Sequence, residues 1–501
     1  MTNSLEETIV AVDRESETGV LIVATAVFSD SPTKFSKDEI RTSLRASTLD
    51  GIFATIFCNI TGGVLLSNFF VELQASPFQI GMLASIPMLA NLLQPLGAYW
   101  ADRTSSRRLY GLWVYGISRL LWLPLALAII GLSGHLVAPQ GMILATLVVM
   151  AATHFLGAIG SASWLSWLAI LVPRQLRGRY FGFRNSTFSL TSLVALPCLG
   201  LIVSHWPGGS IQGFGVLVAV GVVAGIISLG YQSRMTDVNP RTYLARASAP
   251  PLEPVIELGT DGPTPPIAGP PELPETAHRS ILNNFPFLLF LLYFGLWSFG
   301  VNLSNPFFNL YLLDNLTLDL SWVTLYNGLG AGANLLMLLI WGKLADRIGN
   351  RPILLLVGVL VALIPLCWLG TGATSLSIWL WFPLLHLLGG GAGAAIDLCI
   401  NNLQLTIAPV QHHTKYFAMT AAIGGISGAL GALLGGWLAQ LSDTGGIGGL
   451  FALSSILRLV ALLPLVWLQE PQRRSLRQIW QQLKPIQVWC RKSGVAGSTQ
   501  P

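Results

Sequence analysis

Gly342-Lys343-Leu344-Ala345-Asp346-Arg347-Ile348-Gly349-Asn350-Arg351-Pro352 lies between two long apolar segments in the second half of the chain. Ala98-Tyr99-Trp100-Ala101-Asp102-Arg103-Thr104-Ser105-Ser106-Arg107-Arg108 repeats its pattern between two apolar segments of the first half. A second pair matches in the same order: Pro173-Arg174-Gln175-Leu176-Arg177-Gly178-Arg179-Tyr180-Phe181-Gly182 aligns with Pro409-Val410-Gln411-His412-His413-Thr414-Lys415-Tyr416-Phe417-Ala418. The first pair is offset by 244 residues and the second by 236, which argues for a duplicated unit of six segments. A duplicated membrane bundle places such a pair of turns where its halves rock against each other.

Composition supports a bilayer rather than water as the surrounding medium. The 501 residues are 52% hydrophobic and 10% charged, with a mean hydropathy of +0.62, whereas soluble domains are about 25% charged. Apolar runs near the length a bilayer requires recur along the chain, separated by short polar turns. The runs predict spans at 48–71, 78–98, 108–130, 141–170, 181–204 and 211–231, then at 284–312, 321–341, 352–370, 376–408, 416–440 and 446–468. The expected fold is an all-α membrane protein with twelve transmembrane helices in two pseudo-symmetric six-helix bundles.

The division expected from these runs is a cytosolic N-terminal tail (1–45), a first bundle (46–232), a Pro-rich cytosolic linker (233–280), a second bundle (281–470) and a cytosolic C-terminal tail (471–501). The tail lacks the pattern of a signal peptide, and the linker lacks a periodic apolar face. Lys and Arg concentrate in alternate turns, including Arg103, Arg107, Arg108, Arg174, Arg177, Arg179, Lys343, Arg347, Arg351 and Lys415. The turns at 72–77, 131–140, 205–210, 313–320, 371–375 and 441–445 contain neither residue. By the positive-inside rule both termini and the linker are cytoplasmic, as an even number of spans requires.

The arrangement resembles the major facilitator superfamily over nearly everything after residue 45. The C-terminal copy is close to the family's Gly-x-Leu-Ala-Asp-Arg-x-Gly-Arg-Arg loop between its second and third spans; the N-terminal copy departs at Ala98 and Ser105. The resemblance implies that Asp102, Arg103, Arg107, Asp346, Arg347 and Arg351 act in conformational gating, holding the cytoplasmic side closed in one state. Physical chemistry allows the aspartates to cap helix N-termini and the arginines to bridge acids or helix C-termini. Topology retention is the simpler alternative for each Arg. The common proton-coupling pattern of the family would carry Arg four residues before a Gly in span 4, but Thr153 precedes Gly157 and His154 points elsewhere on the helix.

Polar residues at membrane depth are costly unless paired or turned to a cavity. Arg119 in span 3 and Asp397 in span 10, followed by Asn401, stand out; Arg119 is divided between solute contact and a structural bond. Asn302, Asn305 and Asn309 recur in span 7, with Pro306 expected to break the helix beside Asn305. Asn59, His154, Trp164 and Trp167 complete the substrate-cavity candidates. Arg458 is read as structural, and Asp50 as reaching the headgroups.

The cysteines show no pairing or metal spacing, and no nucleotide motif or catalytic constellation emerges. The expected function is secondary transport of a small organic solute, neutral or amphipathic, by alternating access in a cell (inner) membrane. The protein is expected not to be an enzyme and to use no cofactor or nucleic acid, working as a monomer with a proton or sodium as possible coupling ion. The alternative is a transport-inactive scaffold or sensor with the same fold.

Overall fold

The computed structural model describes residues 36–131, 138–172, 177–237, 284–407, 413–441 and 445–468. Among the described residues twelve helical spans are long and apolar enough to cross a membrane. The first six are span 1 (Lys37–Glu72), span 2 (Pro77–Ala101), span 3 (Arg107–Gly131), span 4 (Pro139–Ser161), span 5 (Tyr180–Ser204) and span 6 (Ser210–Gln232). The second six are span 7 (Phe285–Asn315), span 8 (Leu320–Ile348), span 9 (Asn350–Trp368), span 10 (Ser377–Ile407), span 11 (Tyr416–Ala439) and span 12 (Gly446–Trp467). The outer faces carry exposed Trp113, Leu339, Leu356 and Trp379. Such a surface is stable in lipid, where an aqueous one would expose a continuous apolar belt.

Helix ends explain where the spans begin. Ser36 forms a capping box with Glu39 and starts span 1 at Lys37, well before the onset at 48 suggested by the apolar run. The helix of span 4 continues to Leu171, and that of span 5 starts at Arg177. Residues 233–237, assigned by sequence to the linker, pack on the first bundle: Thr236 hydrogen-bonds Ser43, and Met235 is fully buried. The remainder of the linker and most of both tails, including Cys490, lie outside the described residues.

Within the first half, span 1 packs on spans 5 and 6, and span 4 on spans 2 and 3. Within the second, span 7 packs on spans 11 and 12, and span 10 on spans 8 and 9. The halves meet chiefly through two pairs, span 2 with span 11 and span 5 with span 8, with smaller contacts of spans 1 and 2 to span 7 and of span 1 to span 8. A six-span shift converts one pair into the other, as duplication requires.

Both inter-bundle pairs close at the end bearing the Lys/Arg-free turns. A Cβ on Gly436 would lie 2.7 Å from the carbonyl oxygen of Pro77, and one on Gly81 would lie 2.5 Å from that of Ala432. Beside the other pair, Ser204 donates to Asp319 at 2.9 Å. Close approaches at glycine reach mid-depth, at Gly425 against Met88 and at Gly332 against Leu193.

The duplicated motif is mostly helical, contrary to its reading as a turn. Gly342 to Ile348 are the last turns of the span 8 helix, and the reversal takes a single residue, Gly349, at φ 88° and ψ 164°. A Cβ is strained at that φ. In the first copy the helix runs to Arg103, and Thr104 to Ser106 make the reversal. Ser105 replaces the glycine without adopting positive φ because the turn is longer. Span 7 is likewise not broken at Pro306: the helix continues to Leu310 and then widens into a π-turn over Tyr311–Asn315.

Asp319 offers a test of closure at the Lys/Arg-free end. Burial alone would raise its carboxyl, but hydrogen bonds from the Ser321 side chain and backbone N–H and from Ser204 outweigh it and hold the group below its ordinary value. The contribution of a depressed carboxyl is fully present above its unfolded value and is lost as pH falls through the folded one. Closure here is therefore expected to be constant near neutrality and to loosen on strong acidification. Asp319→Asn should loosen it at neutral pH, read as a longer distance between spin labels at Ser210 and Thr317; equal distances in both proteins would dismiss the bond.

Candidate solute cavities

Among the described residues one cavity lies between the bundles and another inside the first, besides an open groove of about 890 Å³ between the start of span 1 and span 5. The larger of the first two, about 680 Å³, is walled by span 5 on one side and by spans 7, 8, 9, 10 and 12 on the other. On span 7, Trp297, Val301, Asn305, Phe308 and Asn309 form one stripe along its wall. Asn327 of span 8 donates to Asn309 at 3.0 Å, and Asn334 lies two turns further on the same helix. The Phe308 ring stacks on Trp368 at 4.9 Å, and His386 stands at 5.6 Å from the Trp368 ring. The chamber thus combines amide donors and acceptors with aromatic faces.

Asp397 and Arg458 also line this cavity. Arg458 is almost fully buried and donates to the carbonyls of Val361 and Val301 and to Ser304 at 2.9, 3.3 and 2.8 Å. These bonds fit the structural reading of Arg458, although its side chain forms part of the wall.

The smaller cavity, about 380 Å³, lies among spans 1 to 6 of the first bundle. Asp50, Tyr115, Arg119, His154, Trp164 and Arg184 are among its lining. Arg119 is 6% exposed and donates to the carbonyl of Gly225 at 2.6 Å. Its head points into the bundle, away from lipid. Asp50 is buried rather than at the headgroups; it accepts a short hydrogen bond from Ser228 and interacts electrostatically with Arg119 and Arg184. The Arg184 guanidinium carbon lies over the rings of both Trp164 and Phe188, 4.2 Å from each centroid. The arginines lining this cavity thus come from spans 3 and 5, and span 4 contributes Thr153 and His154. Thr153 itself exchanges hydrogen bonds with Ser118 at 3.3 Å.

The structure separates the other candidates. Asn305, Asn309 and Asp397 line the large cavity; Arg119, His154 and Trp164 line the small one. Asn59 donates to Ser192, a wall residue of the large cavity, at 3.2 Å. Trp167 is 1% exposed and donates to the Thr236 carbonyl at 2.9 Å, so it packs the bundle instead of a cavity. Asn302 bonds the Ser298 carbonyl and sits beside Gly428 of span 11; Asn401 is exposed and bonds the Asp397 carbonyl. Neither lines a described cavity. Asp50, Arg184, Asn327, Asn334 and His386 were missed, and the seven-residue spacing of Asn327 and Asn334 was a signal for one shared helix face.

Among the gating candidates, Arg103 lies over the Tyr99 ring at 4.0 Å, and Arg107 donates to the Ser163 carbonyl and hydroxyl at 3.4 Å each. Arg351 donates to the Leu465 carbonyl at 2.9 Å and to that of Val466, at the C-terminus of span 12. These contacts lie within one bundle each. Asp346 and Arg347 are exposed, and no side chain caps the span 9 helix at Gly349. The span 3 N-terminus is capped by Ser106, with Asp237 accepting from Arg108 N–H at 3.0 Å. The Asp102 side chain lies outside the described set.

Among the described residues no His/Cys/Asp/Glu group of three or more has metal-site geometry. Solved structures share the fold at low identity. A D-xylose–proton symporter matches with TM-score 0.62 and 14% identity, covering 87% of this chain and 100% of the other. A bacterial homologue of the iron transporter ferroportin in an inward-facing state matches with TM-score 0.60 and 15% identity, covering 86% and 98%. A nucleoside transporter gives 0.60 and 13%, covering 85% and 98%. No curated protein matches the chain by sequence. The family model of the Major Facilitator Superfamily matches residues 51–406 and 298–496. Duplication, twelve spans and this match together make the chain a member of the Major Facilitator Superfamily, an integral multi-pass membrane protein with the secondary-transport function of that fold and not an enzyme.

Proposed function

We propose that the protein moves a small organic solute, neutral or amphipathic, across a cell (inner) membrane by gradient-driven alternating access. The large cavity between the two bundles carries this reading. Its walls supply amides beside aromatic faces, a lining suited to a solute with both polar and apolar parts. Closure at the Lys/Arg-free end corresponds to an inward-facing state when the basic turns are cytoplasmic, the orientation that the positive-inside rule favours. Both termini then face the cytoplasm, and the monomer contains the whole transport path.

Asp50 is the carboxyl best placed for a coupling proton, because it is buried beside the smaller cavity, where burial favours the neutral form and the two arginines the charged one. Sodium is the alternative coupling ion. Asp50→Asn should abolish acceleration of uptake by an imposed proton gradient while leaving solute exchange at equal pH; unchanged gradient dependence would remove Asp50 from coupling.

Purified protein in liposomes should show uptake or counterflow for members of a broad solute panel under imposed proton or sodium gradients. Absence of flux, exchange and counterflow across that panel would favour the inactive scaffold. Labelling of a cysteine placed at Asn305 gives an independent decision. Its accessibility should alternate between the two membrane faces in a transporter and remain fixed in a scaffold.

A further inference from the structure

Arg184 presents an unusual arrangement for a cation inside a membrane span. The guanidinium lies over the rings of Trp164 and Phe188, each centroid 4.2 Å away. Cation–π contact engages the charge without using the N–H donors, which stay available for another partner. Among the described residues Arg184 donates no hydrogen bond, and its Nε is buried without an acceptor. By contrast, Arg119 has the Gly225 carbonyl and Arg458 has two carbonyls and a hydroxyl.

Charge balance points the same way. The smaller cavity is lined by two arginines and one carboxylate, Asp50. Asp50 faces both arginines and accepts from Ser228 on one oxygen, and Arg119 already donates to the Gly225 carbonyl. One positive charge is thus left over on the cavity wall, on the group whose donors are unused. Arg184 lines the smaller cavity, and Phe188, one helical turn along and stacked on it, lines the larger. The pair stands at the boundary between the two chambers.

The geometry points to a carboxylate on the transported solute, held by the Arg184 fork, with an uncharged polar or aromatic body in the larger cavity. This rests on the transport reading above and narrows its solute class to amphipathic monocarboxylates. A single excess positive charge suits a monoanion; a phosphomonoester dianion would leave one negative charge uncompensated in a low-dielectric site.

The test uses the full-length protein, purified and in liposomes, with arylalkyl monocarboxylates and the methyl ester and carboxamide of each. Ligand-induced shifts in melting temperature report binding, and counterflow reports transport. At least one acid should bind and exchange, with its ester and amide about 10- to 100-fold weaker, the range of a lost charge-assisted hydrogen-bond pair. Arg184→Gln should remove this preference for the acid. Arg184→Lys, which keeps charge without the planar fork, should retain part of it and covers the case in which Gln fails to fold.

Esters and amides acting as well as acids, no acid binding at all, or an acid preference unchanged in both variants would each overturn the inference. Preferential binding of acids without counterflow would support the carboxylate site and count against the transport reading. Transport of neutral compounds alone would do the reverse.

Discussion

Arg119→Leu is expected to lower the yield of folded protein sharply, and Asp50→Asn in the same chain should restore most of it. The single substitution removes one of the two arginines that share the small cavity with the buried Asp50. Taking a compensating cation from a buried carboxyl that it does not contact directly costs about 1–3 kcal/mol, because the remaining charge stays in a low dielectric. It also frees the Gly225 carbonyl that accepts from Arg119. The double variant removes both charges, so a thermodynamic cycle over the four proteins should show a coupling of about 1–3 kcal/mol. Binding and flux on folded double variant then separate the two roles left open for Arg119. Retained binding makes it structural; lost binding at normal stability makes it part of the solute path. Additive single effects would mean that the two charges act independently.

The architecture was legible because lipid imposes a simple rule on sequence: each crossing needs a long apolar helix, and basic residues mark alternate turns. The inner site was less legible because it depends on where helices begin and how they rotate. Asp50 follows closely on the predicted span onset at 48, so it read as a headgroup-level residue. The Ser36 capping box starts the helix at Lys37, which carries Asp50 about 20 Å along the helix axis. Arg184 stands near the start of the span expected at 181–204 and lies further along its helix, which begins at Arg177.

Rotation accounts for the other differences. Asn302 lies about 100° around the helix from the wall residue Val301, which turns it toward span 11 and away from the cavity stripe. Trp164 and Trp167 are three residues apart, yet one faces Arg184 and the other the Thr236 carbonyl. Proximity along the chain groups such residues together; their roles are set by which of two neighbouring helices each one meets.

Gly436→Val and Gly81→Val are expected to drive spans 2 and 11 apart at the Lys/Arg-free end and to slow solute exchange. The helices meet there through backbone. A Cβ at Gly436 would stand 2.7 Å from the Pro77 oxygen and 2.9 Å from the Phe78 Cα, and neither atom can move aside by changing a rotamer. Overpacking of this kind costs about 1–3 kcal/mol, enough to change the ratio of two conformations by about 5- to 150-fold. The clash belongs to the state closed at this end, so the population should move toward the state open there. Spin labels at Ala75 and Gln440 should report a longer distance. Gly230→Val serves as a control, because Gly230 is exposed on span 6 and a Cβ there meets nothing within 4 Å. Normal distances and exchange in both interface variants would show that the two spans need no such close contact to close the path.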